Sequence, residues 1–234
     1  MNRFFRLLAA ALLLIGLPLP AQAAVTITFW SHEFNNMFPH AFFTLRGVPD
    51  AGGAPVDGNY GFTAKTISPA LLWGTVPGRI DIAKPDYMAG SDAQFSLVLT
   101  DAQYADVLAL VREWDDKTGD SHYNLNKRNC VHFVQEAARR VGLVGLDQPT
   151  LMKKPRSFLL AVGAANAGHV IAVGQHGKEY LASLPPLTAP ATPLAPATPL
   201  APVVPSRLLA APAATRPMPG NVAPAPSPVL APVN

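Results

Sequence analysis

The stretch RNCVHFVQEAARRVG, Arg128 to Gly142, holds the only cysteine of the 234-residue chain, at the point where a polar loop turns into an amphipathic run. A thiol there has two uses. Positions Cys130, Phe133, Val134, Ala137 and Ala138 follow helical spacing, so the cysteine heads an apolar stripe and could serve as a small core residue. It also occupies the first helical turn, where unpaired N–H groups and the positive end of the helix dipole favour a thiolate and could hold a developing oxyanion. Such a position is expected to lower the thiol pKa from its usual value near 8.5.

A thiol nucleophile needs a base, and six histidines are available: His32, His40, His122, His132, His169 and His176. His132 lies two residues from Cys130, about 200 degrees around the helix, and is expected to face away from the thiol. His122 falls in the loop DDKTGDSHYNLNKRN, which supplies no evident orienting partner. His40 opens a strand with Phe42 and Thr44 on its own face, a rigid mount for a base. Other chemistry is not supported. His32-Glu33-Phe34-Asn35-Asn36 starts like a zinc-binding H-E-x-x-H helix but ends in asparagine, and there is no C-x-x-C, G-x-S-x-G or phosphate loop. No metal or cofactor is expected.

The elements that must position these residues lie between two segments of different character. Residues 1–23 pair Arg3 and Arg6 with an apolar run from Leu7 to Leu17 and an Ala21-Gln22-Ala23 end, the pattern of a secretory signal peptide cleaved after Ala23. Residues 184–234 carry 15 of the 25 prolines, with Arg207 and Arg216 as their charges, which predicts an extended, disordered tail. Residues 24–183 remain as one domain, large enough to bury its own core. Its charge is near neutral, because Arg3, Arg6, Arg207 and Arg216 lie outside it and leave 14 of the 18 cations against 15 acids. Nucleic acid is therefore not expected as a partner. Cleavage would leave no membrane span, and a single cysteine in an exported protein can form no internal disulfide.

Within the domain, Val25–Trp30, Ala41–Leu45, Tyr60–Lys65 and Gln94–Leu99 read as strands, the second and third joined through the turn-rich VPDAGGAPVDGN. Thr100-Asp101 caps a helix over 102–114, the cysteine helix runs over 130–141 to Gly142, a third helix follows Ser157, and a strand falls near 169–173. Strands first and helices later point to an α+β domain, a small antiparallel sheet packed against helices.

Asn129-Cys130-Val131-His132-Phe133-Val134 resembles the Asn-Cys-x-His-Phe-Val signature of the circularly permuted papain-like group, which includes lecithin:retinol acyltransferase relatives and bacterial NlpC-type cell-wall peptidases. His40-Ala41-Phe42-Phe43-Thr44-Leu45-Arg46-Gly47 is similar to that group's histidine strand, and the histidine strand precedes the cysteine helix as the permuted order requires. The resemblance implies a permuted papain-like fold with Cys130 as nucleophile and His40 as general base. The group takes a third polar residue from the next strand. Here that strand offers Asn59 or Thr63 and no histidine, and Asn59 is the expected orienting residue. The implied function is an exported cysteine hydrolase, periplasmic or secreted in a bacterium, cleaving amide bonds of a peptide substrate such as peptidoglycan. Acyl transfer or lipid ester hydrolysis would use the same thioester. A third expectation is a catalytically silent papain-like module that binds a partner.

Overall fold

The computed structural model describes residues 24–33 and 39–187. The expected signal peptide, residues 1–23, and the proline-rich stretch after Leu187 lie outside the described residues. Seven strands and six helices are present among them: β1 (Val25–His32), β2 (His40–Gly47), β3 (Val56–Ala64), α1 (Ala70–Trp73), β4 (Thr75–Asp81), α2 (Pro85–Ala89), β5 (Asp92–Leu99), α3 (Asp101–Trp114), β6 (His122–Asn124), α4 (Cys130–Arg140), α5 (Pro155–Ala165), β7 (Ile171–His176) and α6 (Gly177–Ser183). A 3₁₀ turn at Pro149–Leu151 precedes α5. The strands form one antiparallel sheet in the order β6-β4-β3-β2-β1-β5-β7. The fold is thus α+β, with a larger sheet than the sequence suggests. No helix among the described residues is long and apolar enough to cross a membrane.

Alternation along the central strands divides the core into two layers. Val25, Ile27 and Phe29 of β1, Ala41, Phe43 and Leu45 of β2, and Phe95, Leu97 and Leu99 of β5 are buried with α3, α4 and α5. Trp30, Phe42 and Ala93 form a smaller cluster on the opposite face, under Tyr87 and Met88 of α2 and Tyr180 and Leu181 of α6. Helix α4 is held to the sheet by aromatic contacts: the Phe133 ring lies 5.3 Å from both Phe43 and Trp114 and 6.2 Å from Phe62. Arg128, just before the helix, stacks its guanidinium 3.6 Å from the Trp114 ring centroid. These contacts fix where the helix begins.

Several elements carry no clear sequence signal. Strand β4 (TVPGRID) contains Pro77 and Gly78, residues that weaken a strand pattern. It forms because it pairs with β3 through Gly61↔Asp81, Phe62↔Ile80, Thr63↔Arg79 and Ala64↔Gly78, and with β6 on its other edge. The close approach of Gly78 to the Ser121 carbonyl, which accepts the Gly78 N–H, leaves no room for a Cβ.

Candidate active site

Helix α4 begins at Cys130 because Asn129 caps it. The Asn129 side-chain oxygen accepts the N–H groups of Val131 and His132 at 2.8 and 3.2 Å, while its amide donates to the carbonyls of Leu125 and Met152 at 2.8 and 2.7 Å. His132 closes the cap by accepting the Asn129 N–H at its Nδ1, 3.3 Å away. His132 is therefore a capping residue, in keeping with its expected position behind the helix. His122 is exposed and tied to Asp120 at 2.6 Å.

Cys130 is the first residue of the helix and is buried at 6% exposure. It belongs to the helix-covered layer of the sheet, above Ala41. His40 opens β2 one residue earlier and takes the alternate face, its ring 6.2 Å from Phe42 and 6.5 Å from Tyr87. The two side chains nonetheless line one cavity of about 320 Å³, with Thr63, Arg79, Asp81, Tyr87 and Tyr123. This is possible because His40 stands at the very end of its strand. A second cavity of about 240 Å³ adjoins Cys130 on the side of Asn129, Lys153 and Pro155, and shares Pro39, Tyr123 and Leu125 with the first. The thiol thus stands between two recesses.

The electrostatics correct one expectation. Burial pushes the Cys130 thiol up to about 11, against the pull of the backbone N–H groups of Ala41, Val131 and Cys130 itself. Helix position does favour the thiolate, but desolvation is the larger effect. Burial also lowers His40 to about 4; Asp81 acts to raise it and His32, directly across β1, to lower it further. Both shifts oppose proton transfer from thiol to imidazole, because burial disfavours the charged form of each group. The resting pair is a neutral thiol beside a neutral imidazole.

Asn59, the expected third residue, is not brought to this cavity. The β2/β3 register sets it across from Thr44, four residues along from His40 or roughly 13 Å at strand spacing. Its amide is used elsewhere, accepting the Ala83 N–H at 2.5 Å and donating to the Ala83 carbonyl at 3.2 Å. Thr63 does line the cavity. So does Asp81, a residue the sequence reading passed over because it lies in a strand with no clear pattern. Gly61 sits between Asp81 and Phe42 in the register, and a Cβ there would stand 2.5 Å from His40 Nε2. The imidazole fills the space that the missing side chain leaves.

Two tyrosines complete the wall. Burial raises the pKa of both Tyr87 and Tyr123, and the neighbouring thiol raises each further, so their hydroxyls stay protonated. Ile67, which lines the first cavity, and Leu72, Trp73 and Ile82 are large, apolar and more than half exposed, Trp73 at 85%. Among the described residues no cluster of three or more histidine, cysteine or acidic side chains could hold a metal ion. In comparisons with known proteins, no family model, no curated protein and no solved structure matches the chain.

Proposed function

We propose that this chain is an exported cysteine hydrolase that cleaves amide bonds, with cell-wall peptides as its substrate class and Cys130 as the nucleophile. One observation carries the reading: a thiol at a helix N-terminus, faced by the Ala41 and Val131 N–H groups, shares a cavity with a neutral histidine. The residue pattern around Cys130 and His40 that resembles permuted papain-like enzymes is the second support.

The neutral resting pair dictates the order of events. Substrate entering the cavity brings its carbonyl to Cys130, and His40 takes the thiol proton as sulfur attacks, so that the thiolate forms during the step rather than before it. Asn129 already takes the Val131 and His132 N–H groups, so the backbone N–H groups of Cys130 and Ala41 beside the thiol are the ones suited to the oxyanion of the tetrahedral adduct. Collapse breaks the C–N bond; the imidazolium gives its proton to the leaving amine and the acyl group stays on sulfur as a thioester. Water, deprotonated by His40, then attacks that thioester, and the thiol regains its proton from the imidazolium.

The exposed Ile67, Leu72 and Trp73 favour a second reading, in which the acyl group is a lipid chain and the bond is an ester or amide of a lipid. The chemistry on Cys130 is the same. The test is turnover of soluble peptidoglycan peptides and of acyl esters by the exported chain, with mass spectrometry for an acyl adduct on Cys130. Peptide cleavage abolished by Cys130→Ala and by His40→Ala is the expected result. Turnover of the acyl esters alone would replace the first reading with the second. No turnover and no adduct with either class would refute both and leave a binding module.

A further inference from the structure

We infer that Asp81 is the positioning residue for His40: reaching across Gly61 from β4, its carboxylate keeps the imidazole proton on Nε2 and leaves Nδ1 to receive the thiol proton. The inference rests on the hydrolase reading for its role in turnover, but the geometry behind it does not.

Three observations converge on Asp81. The strand register puts it directly beside Gly61, so both point to the face that holds His40. His40 Nε2 is the ring atom over Gly61, 2.5 Å from where a Cβ would lie, and a glycine is what allows a side chain from the next strand to approach that nitrogen. Asp81 lines the same cavity as His40 and Cys130. Its Oδ1 accepts from Arg79 Nη2 at 3.0 Å, a contact that uses one of its two carboxylate oxygens. The interaction with His40 in this structure is electrostatic.

The other groups around His40 do not supply the same function. His32 faces it across β1 and is itself bonded to Ser91, Nδ1 to Oγ, at 2.8 Å; a second imidazole opposes the charge that His40 must carry. Tyr87 of α2 packs its ring edge-on to the imidazole. Cys130 of α4 is the group to be deprotonated. Thr63 has a hydroxyl but no charge with which to stabilise the imidazolium. Asp81 alone among these offers an anion, and an anion at Nε2 both selects the tautomer and favours the protonated ring that forms during catalysis.

The test reads His40 itself, in the full chain and without substrate. Long-range ¹H–¹⁵N correlation on histidine-labelled protein reports which ring nitrogen carries the proton at pH 7, and a pH series gives the titration midpoint. We expect the Nε2–H tautomer in the wild type, a shift toward a tautomer mixture in Asp81→Asn, and a midpoint about one pH unit lower. Asp81→Glu should restore most of the tautomer preference, while Asn59→Ala and Thr63→Val should leave it unchanged. If Asp81→Asn does not fold, Asp81→Ser gives the same reading. An unchanged tautomer and midpoint in the uncharged variant, or a change caused by Thr63→Val instead, would overturn the assignment. Failure of the hydrolase reading would show separately, as absent turnover with the His40–Asp81 coupling intact.

Discussion

Replacing Gly61 by alanine tests the site through a single methyl group. Its backbone is not in the positive-φ region, so alanine suits the conformation, and the loss of glycine's unfolded-state freedom alone would stabilise by about 0.4–1 kcal/mol. The added Cβ meets Phe42 Cβ at 3.3 Å, a contact that small adjustments absorb, but it meets His40 Nε2 at 2.5 Å. Ordinary contact begins near 3.4 Å, so the ring must withdraw by about 1 Å. A misplacement of that size at a reacting group costs about 10²-fold in rate. The expected outcome is a loss of about 10²-fold in kcat/KM on the peptide substrate, with urea-unfolding stability within ~1 kcal/mol of wild type. Gly61→Ala added to His40→Ala should do nothing more, because the group it displaces is already gone. Wild-type turnover in a folded Gly61→Ala protein would refute the placement of His40 as base, and a Gly61→Ala destabilisation well above ~1 kcal/mol that persists in the His40→Ala background would show that the methyl acts on something else.

Cys130, raised by burial to about 11, should be alkylated by iodoacetamide slowly at pH 7 and progressively faster up to about pH 11, with on the order of 10⁻⁴ of the thiol ionised at neutrality; rapid labelling at pH 6 would contradict the desolvated thiol. His40 is neutral in the fold down to about pH 4, whereas the unfolded chain takes up its proton near 6.5, so its contribution is intact above pH 6.5 and is lost as pH falls from 6.5 to 4. That loss amounts to about 3 kcal/mol in urea-unfolding free energy, and His40→Gln should remove this component of the acid dependence. Asn129→Ala removes the cap of α4 and leaves the half-buried Leu125 and Met152 carbonyls without their donor, and chemical denaturation should show a loss of about 2 kcal/mol.

Residues whose roles depend on near neighbours were readable from the chain. Asn129 followed by an amphipathic run marks a capped helix with Cys130 in its first turn, and the structure has that helix over Cys130–Arg140. The alternating Val25–Trp30 and Ala41–Leu45 runs mark strands, and they form the centre of the sheet as β1 and β2. His132 belongs to the cap because helix geometry turns it away from residue 130. These signals are local: a cap, a period of 3.6 or a period of 2 is set by residues a few positions apart.

What depended on distant pairing was not readable. Asn59 lies on the strand next to His40's and has the right chemistry, yet the register moves it four residues away and commits its amide to Ala83. Asp81 comes to the cavity from a strand whose Pro77 and Gly78 hide it from any pattern, and the register sets it beside Gly61, the glycine under His40 Nε2. The state of the thiol was decided the same way. A helix N-terminus lowers a cysteine pKa wherever it occurs, but the desolvation that outweighs it here comes from the sheet beneath Cys130, and burial exists only once distant segments have packed. The sequence by itself determined the helix that carries Cys130 and the strand that carries His40; tertiary packing decided that Asp81 rather than Asn59 lines their cavity and that both side chains rest uncharged, because register and desolvation are properties of the assembled sheet.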